Sequence, residues 1–317
     1  VTIGISAIAH AYGRRRIDNV ADGVQRGFDA SFVREKLGIA TRYVAADDQA
    51  TSDLATEAAC ALLEKTGVPA QEIGALVVVT QTPDYQLPHT AALVHKKLGL
   101  PASVASFDMS LGCSGYVYGL SAVAPFLGQD GHTRALLITA DCYSKVMDET
   151  DRATAPLFSD AAAATLLTEQ PLYRPGKAVF GTDGGGAGAL IVKCGGSRAP
   201  SEHSKLFMDG RAIYSFAMSR VPRHVEQCLA LNGLKLDDID RFVFHQANRF
   251  MLESLRDRMK LPPGKVVIDV ADGGNTVGST IPIALEPLLD ERPRRILISG
   301  FGVGLSWATN VLELCAT

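Results

Sequence analysis

The stretch ALVVVT at residues 75–80 is an unbroken apolar, β-branched run closed by a threonine. It has no polar alternation, so it fits a strand covered on both faces, as in a sheet with helices on either side. Upstream, residues 51–66 carry Leu54, Ala58, Ala61 and Leu62 on one helical face, and Gly67 and Pro69 stop the pattern. Downstream, LLIT at 136–139, FVF at 242–244 and ILIS at 296–299 repeat the strand signature. Strands alternating with helices predict an α/β fold.

The two halves of the chain echo each other. FDMSLGCSG around Asp108 parallels IDVADGGNT around Asp269, ALLITAD parallels RILISGF, and ALVVVT parallels RFVF, each pair roughly 160 residues apart and in the same order. The spacing predicts two copies of one α/β unit, residues 1–170 and 171–317, meeting where TEQPLYRPGK at 168–177 interrupts the pattern with two prolines. A repeat this long excludes a solenoid.

A chain of 317 residues with 47% hydrophobic and 21% charged residues can build a large core without disulfide or metal staples. A net charge of −3 argues against general nucleic-acid binding and leaves room for a local basic patch. No apolar run reaches a membrane span. VTIGISAIAH at the start reads as a first strand rather than an export signal, and the missing initiator Met predicts a trimmed chain. The six cysteines form no C-x-x-C pair and share no metal-ligand spacing, which predicts buried thiols in a reducing cytoplasm and no metal site.

Four segments can carry chemistry. Cys113, in SLGCSGY, follows a strand-like VASFDM and opens a buried apolar helix. A thiol there has its thiolate favoured by the helix dipole, and Gly112 and Gly115 let a carbonyl approach. The alternative is a small buried structural cysteine. His245, in FHQAN, ends a strand, where α/β sheets face their ligands; a core histidine fits equally. Asn275, in DGGNTVGST, reads as the tip of a glycine turn or as an ordinary turn asparagine. GFGVG at 300–304 lacks the continuation of a dinucleotide loop, and its backbone N–H groups suit an oxyanion.

Taken together and in order, GCSGY, HQAN, GNT and GFGVGLSW resemble the ketoacyl-acyl-carrier-protein synthase III family of the thiolase superfamily. IDN at 17–19, VREKLGIATRY at 33–43, TPD at 82–84, TDRATAPLFSDAAAA at 150–164 and LFMDGRAIY at 206–214 fall in that family's order. The resemblance implies a thiolase-like α/β fold of two fused halves in five layers (α-β-α-β-α), usually a homodimer, with no permanently bound cofactor. It implies a decarboxylative Claisen condensation. Cys113 takes an acyl group from acyl-CoA. His245 and Asn275 stabilise the enolate of malonyl-acyl carrier protein, and the backbone N–H groups of Cys113 and Val303 form the oxyanion hole.

Departures from the family pattern refine these expectations. Val303 stands where glycine is usual, which narrows the pocket. Phe32 replaces a tryptophan that stacks on the CoA adenine, with Arg152 on the other side, and Lys36 replaces a phosphate-binding arginine. Leu87 replaces a phenylalanine that the partner subunit often supplies, which predicts room for a longer or branched acyl chain. Ser159 and Ala161 flank Asp160 where glycines are usual and read as packing changes. Arg249, Arg256, Arg258 and Lys260, with Arg220 and Arg223 nearby, form a candidate dock for the acidic carrier protein. The glycines at 184–188 read as a flexible loop beside the acyl tunnel. Rival readings on the same scaffold are acyl transfer to an alcohol or amine, and a non-catalytic partner subunit. GFGVG lacks a second cysteine, which disfavours thiolysis. Fatty-acid initiation and a dedicated secondary pathway both fit.

Overall fold

The strand Ala75–Val79 is buried along its whole length, and its side chains divide between two cores. Val77 and Val79 point to one cluster, Leu76 and Val78 to another. That division, at the period of two that a strand imposes, places it inside a layered molecule. The computed structural model describes residues 3–27, 29–128, 131–200 and 204–315.

Five layers follow from the clusters. Helices Thr51–Thr66 and Thr90–Leu98 cover the first sheet, with Leu54, Ala58 and Leu62 against Leu76, Val78, Leu136 and Ile138. That sheet runs Ala105–Met109, Ala75–Val79, Arg134–Asp141, Ala161–Thr168, Gly4–Tyr12, the first three parallel and the rest antiparallel. Helices Gly115–Val123 and Thr280–Glu291 form the middle layer, where Val117, Leu120, Ile281 and Leu285 meet both sheets. The second sheet pairs Arg241–Phe244 with Arg295–Gly302 in parallel, then Ser306–Leu314 and Val179–Thr182 antiparallel. Helices Gly210–Leu231 and Arg249–Arg258 close the outside over Phe242, Phe244 and Leu297. Burial of these faces at about 25 cal/mol per Å2 is the main stabilising term.

Local chemistry sets the ends. Asp53 accepts the Ala50 N–H at 2.8 Å, and Gly67 ends the helix Thr51–Thr66 at φ 67°. Asp209 accepts from the Ala212 N–H, and Asn248 from that of Met251, opening the two outer helices.

Three expectations need correction. Residues 266–270 (VVIDV) touch the sheet only through a bridge between Phe242 and Val266, although their counterpart Ala105–Met109 is a full strand. The strand expected at 296–299 is longer than its apolar run, because Arg295–Gly302 continues through Phe301 by pairing with Trp307. TEQPLYRPGK contains a strand of its own: Tyr173–Pro175 pairs with Ser306–Leu314 and, through Tyr173, with Ile5, joining the sheets edge to edge.

Candidate active site

The turn after Ala105–Met109 delivers Cys113 to the mouth of helix Gly115–Val123. The Gly115 N–H donates to the Gly112 carbonyl at 2.8 Å and tightens the turn. The strand Arg295–Gly302 ends against it. A Cβ on Gly300 would stand 2.4 Å from the Cys113 carbonyl oxygen, and one on Gly302 would stand 3.0 Å from Sγ, so glycine is required for this approach. Burial pushes the thiol up to about 12, helped by the charge of Asp141. The helix terminus was expected to favour the thiolate; in the resting protein, desolvation outweighs it.

His245 follows the strand Arg241–Phe244, and its N–H donates to the Ser299 carbonyl at 2.8 Å. Its Nδ1 lies 2.8 Å from Thr280 Oγ1. The Phe301 ring stands edge-on at 5.7 Å between centroids. Burial pushes the imidazole down to about 3, so it is neutral at physiological pH.

Asn275 is held on both sides by the chain near Phe158. Its N–H donates to the Leu157 carbonyl and its own carbonyl accepts from the Ser159 N–H, both at 2.9 Å. Its Oδ1 accepts the Val277 N–H at 3.0 Å. The Val277 bond is the two-residue turn bond common to turn asparagines, and it turns the Asn275 amide N–H groups away from the chain's own turn.

Cys113, His245 and Asn275 line one cavity of about 80 Å3, with Phe158, Phe301 and Met251 among its apolar walls. The glycine turn Gly184–Ala189 leads into Leu190, which lines the same cavity. The Val303 side chain is not part of this lining; a Cβ on Gly112 would stand 2.9 Å from its Cγ1.

The other expected residues are spread over the surface. Phe32 and Lys36 lie on the short helical segment Phe32–Leu37, where Phe32 is exposed and Lys36 Nζ sits 5.5 Å above the Phe250 ring. Arg152 donates to the Arg26 carbonyl at 3.1 Å. Leu87 is 87% exposed and does not line the thiol cavity. Within the candidate dock, Arg249 packs tightly over Gly38, Arg256 pairs with Asp257, and Arg258 donates to the Met218 carbonyl. Lys260 is exposed beyond the helix end, and Arg220 leans on Trp307 and Asp183.

Several residues around the site escaped the sequence reading. Buried Arg42 donates to Asn19 Oδ1 at 2.6 Å and to the Phe158 carbonyl at 3.3 Å, and Asn19 donates to the Pro156 carbonyl. The IDN and TRY landmarks thus form one network that fixes the cavity wall. Asp160, already named in the sequence, accepts from the Ala45 and Ser144 N–H groups. Thr280, Asp141, Gln81 and Tyr143 were also missed; Asp141 ends the quoted ALLITAD strand, the one signal that pointed to it.

A thiol at a helix mouth that shares one cavity with a buried imidazole and a carboxamide fits an acyl-transferring condensing enzyme of thiolase-like fold. Comparison with known proteins narrows the class. Residues 107–184 match the 3-oxoacyl-[acyl-carrier-protein] synthase III family, and residues 229–314 match its C-terminal region. The chain is 35% identical to beta-ketoacyl-[acyl-carrier-protein] synthase III of Caldanaerobacter subterraneus over 89% of this chain and 88% of that one. It is 32% identical to the Lactococcus lactis protein of the same name over 98% of both. A crystal structure of a 3-oxoacyl-(acyl-carrier-protein) synthase III superposes with a TM-score of 0.94 at 37% identity, covering 99% of this chain and all of the other. The chain belongs to the beta-ketoacyl-[acyl-carrier-protein] synthase III family.

Proposed function

We propose that the protein condenses an acyl-CoA primer with malonyl-acyl carrier protein to give a 3-oxoacyl product, with Cys113, His245 and Asn275 in the roles set out above. In the first half-reaction a bond forms from Cys113 Sγ to the acyl carbonyl carbon. The bond to the CoA sulfur breaks, and the thiol proton leaves with CoA. In the second, the malonyl carbon–carboxyl bond breaks, carbon dioxide departs, and the electron pair is held as an enolate. That carbon attacks the acyl-Cys carbonyl and Cys113 is released.

One observation carries the reading: the groups left for substrate on His245 and Asn275 are oriented by bonds on their other sides. Asn275 Oδ1 is occupied by the Val277 N–H, so its amide N–H groups are the part left for substrate. His245 Nδ1 is occupied by Thr280, so Nε2 is the nitrogen left for substrate. The Thr280 hydroxyl also lies 3.1 Å from the Val277 carbonyl, which can only accept: with its proton there, the neutral ring carries its own proton on Nδ1, and Nε2 donates only when that hydroxyl proton turns to Nδ1. Each such donor contributes on the order of 3 kcal/mol at a developing oxyanion. The approach of Gly300 and Gly302 to Cys113 supports an oxyanion hole formed by the Cys113 and Val303 N–H groups.

Phe32, Lys36 and Arg152 are proposed to hold the CoA nucleotide, and the basic groups near Lys260 the carrier protein. A homodimer with Leu87 at the partner's acyl pocket completes the proposal, with residues 1–170 and 171–317 as the two halves of each subunit. The test is intact mass: incubation with acyl-CoA adds the acyl mass to the chain, and malonyl-carrier then removes it with release of carbon dioxide. A chain that gains no mass from any acyl-CoA ends the proposal.

A further inference from the structure

Two buried serines join the halves of the chain beside the thiol. Ser114 directly follows Cys113, Ser306 opens the strand Ser306–Leu314, and their hydroxyl oxygens lie 2.7 Å apart. Ser114 stands at the N-cap of helix Gly115–Val123, where a serine ordinarily accepts from the first turn, yet it makes no such bond. Its hydroxyl is spent on Ser306 instead. Ser306 Oγ also lies 2.8 Å from the Val303 carbonyl, which can only accept. Both bonds are made together when the Ser306 proton goes to Val303 and the Ser114 hydroxyl donates to Ser306. The rest of this turn is pinned on either side. Gly302 pairs with Ser306 in the sheet register, and Leu305 exchanges two backbone bonds with Asp183, at 2.8 and 3.0 Å. Between these fixed points Val303 is held by its carbonyl, and its N–H donates to no carbonyl among the described residues.

We propose that Ser306, with Ser114 behind it, is a positioning pair for the oxyanion hole: the hydroxyl chain from Ser114 to the Val303 carbonyl sets the Val303 N–H at a fixed distance from the Cys113 N–H. The inference rests on the proposed acylation of Cys113 and deepens it by naming what aligns its two backbone donors. Those donors sit on different halves, one at the mouth of helix Gly115–Val123 and the other on the turn after Arg295–Gly302. An oxyanion needs both within about 2.7–3.1 Å of one point, so their separation matters more than the position of either. Backbone bonds fix each segment within its own half. The Ser114–Ser306 bond crosses between the halves, one residue beyond Cys113 and three beyond Val303. With Gly302 paired before it and its carbonyl held after it, Val303 keeps its N–H in one direction. A displacement of about 1 Å at such a site costs up to about 10^2-fold in rate.

The experiment compares two reactions of the same thiol in the full-length chain. One is acylation, followed by intact mass, with whichever of acetyl-, butyryl- and octanoyl-CoA loads the wild type fastest. The other is alkylation by iodoacetamide, which forms no oxyanion. Ser306→Ala should lower the maximal acylation rate about 10- to 10^2-fold, with KM and the alkylation rate each within about twofold of wild type. Ser306→Thr keeps the hydroxyl and should stay within a few-fold of wild type, whereas Ser306→Val has the same shape without it and should match Ser306→Ala. Ser114→Ala leaves the Val303 bond in place and should cost less, roughly threefold to tenfold. The double variant Ser114→Ala/Ser306→Ala should be no slower than Ser306→Ala, since both act through one chain. Unchanged acylation in Ser306→Ala overturns the proposal, as does a parallel fall of acylation and alkylation or a loss that Ser306→Thr does not restore. If the Ser306 variants do not fold, Ser114→Ala decides alone, and unchanged acylation there overturns it. A wild type that gains no mass from any of the three acyl-CoAs overturns the acylation step itself, and the alignment with it.

Discussion

The two halves of the chain use one device, a strand, a turn and a helix, for opposite purposes. Around Cys113 the strand Ala105–Met109 is fully paired, and the turn sets the thiol at the mouth of helix Gly115–Val123 with glycines clearing its approach. Around Asn275 the strand is reduced to one bridge, and the turn is anchored instead to Leu157 and Ser159 ahead of helix Thr280–Glu291. On the proposed mechanism Cys113 must receive and release a group, and the facing glycines keep other side chains away from it. Asn275, proposed as a donor at a developing charge, has its backbone fixed by bonds across the molecule and its amide turned by the Val277 N–H.

The comparison can be broken by exchanging what each half supplies. The largest effect is expected from Cys113→Ala, which should abolish acyl-enzyme formation in intact mass and lower condensation by about 10^4-fold or more. Asn275→Ala should lower decarboxylation of malonyl-carrier by about 10^2- to 10^3-fold while acylation of Cys113 stays within a few-fold. Equal losses in both steps would show that the halves do not divide the work. Thr280→Val should lower condensation by roughly tenfold and Thr280→Ser should restore it, since the hydroxyl sets the His245 proton. Reactivity of the thiol sharpens the contrast. Its folded pKa lies above the ordinary thiol value, near 12, so the thiolate is the minor form below that pH. Alkylation of the free protein should rise about tenfold per pH unit from 7 to 10 without a plateau. The smallest effect is at the surface: Arg256→Glu with Lys260→Glu should raise KM for the carrier substrate several-fold and spare malonyl-CoA.

Much of this was readable from the sequence because it is local. Apolar runs gave the strands of both sheets, Gly67 marked a helix end, and HQAN and GNT placed His245 and Asn275. What escaped depends on partners far apart in the chain. The VVIDV run has strand composition, yet nothing in its own residues says that the sheet stops pairing after Val266. Tyr143 and Gln81 look like unrelated polar residues until the parallel strands Ala75–Val79 and Arg134–Asp141 place their ends side by side. The helix-dipole argument for Cys113 was sound locally and was outweighed by burial, which only the assembled layers impose.

The short strand Tyr173–Pro175 holds one sheet's edge through Ser306–Leu314 and reaches the other through Ile5. Cys113 comes from the side of this seam that carries Ala105–Met109, and His245 and Asn275 from the side that carries Arg241–Phe244. Stitched through paired backbone, the two sheets meet as one continuous edge on which the spacing of those side chains is built.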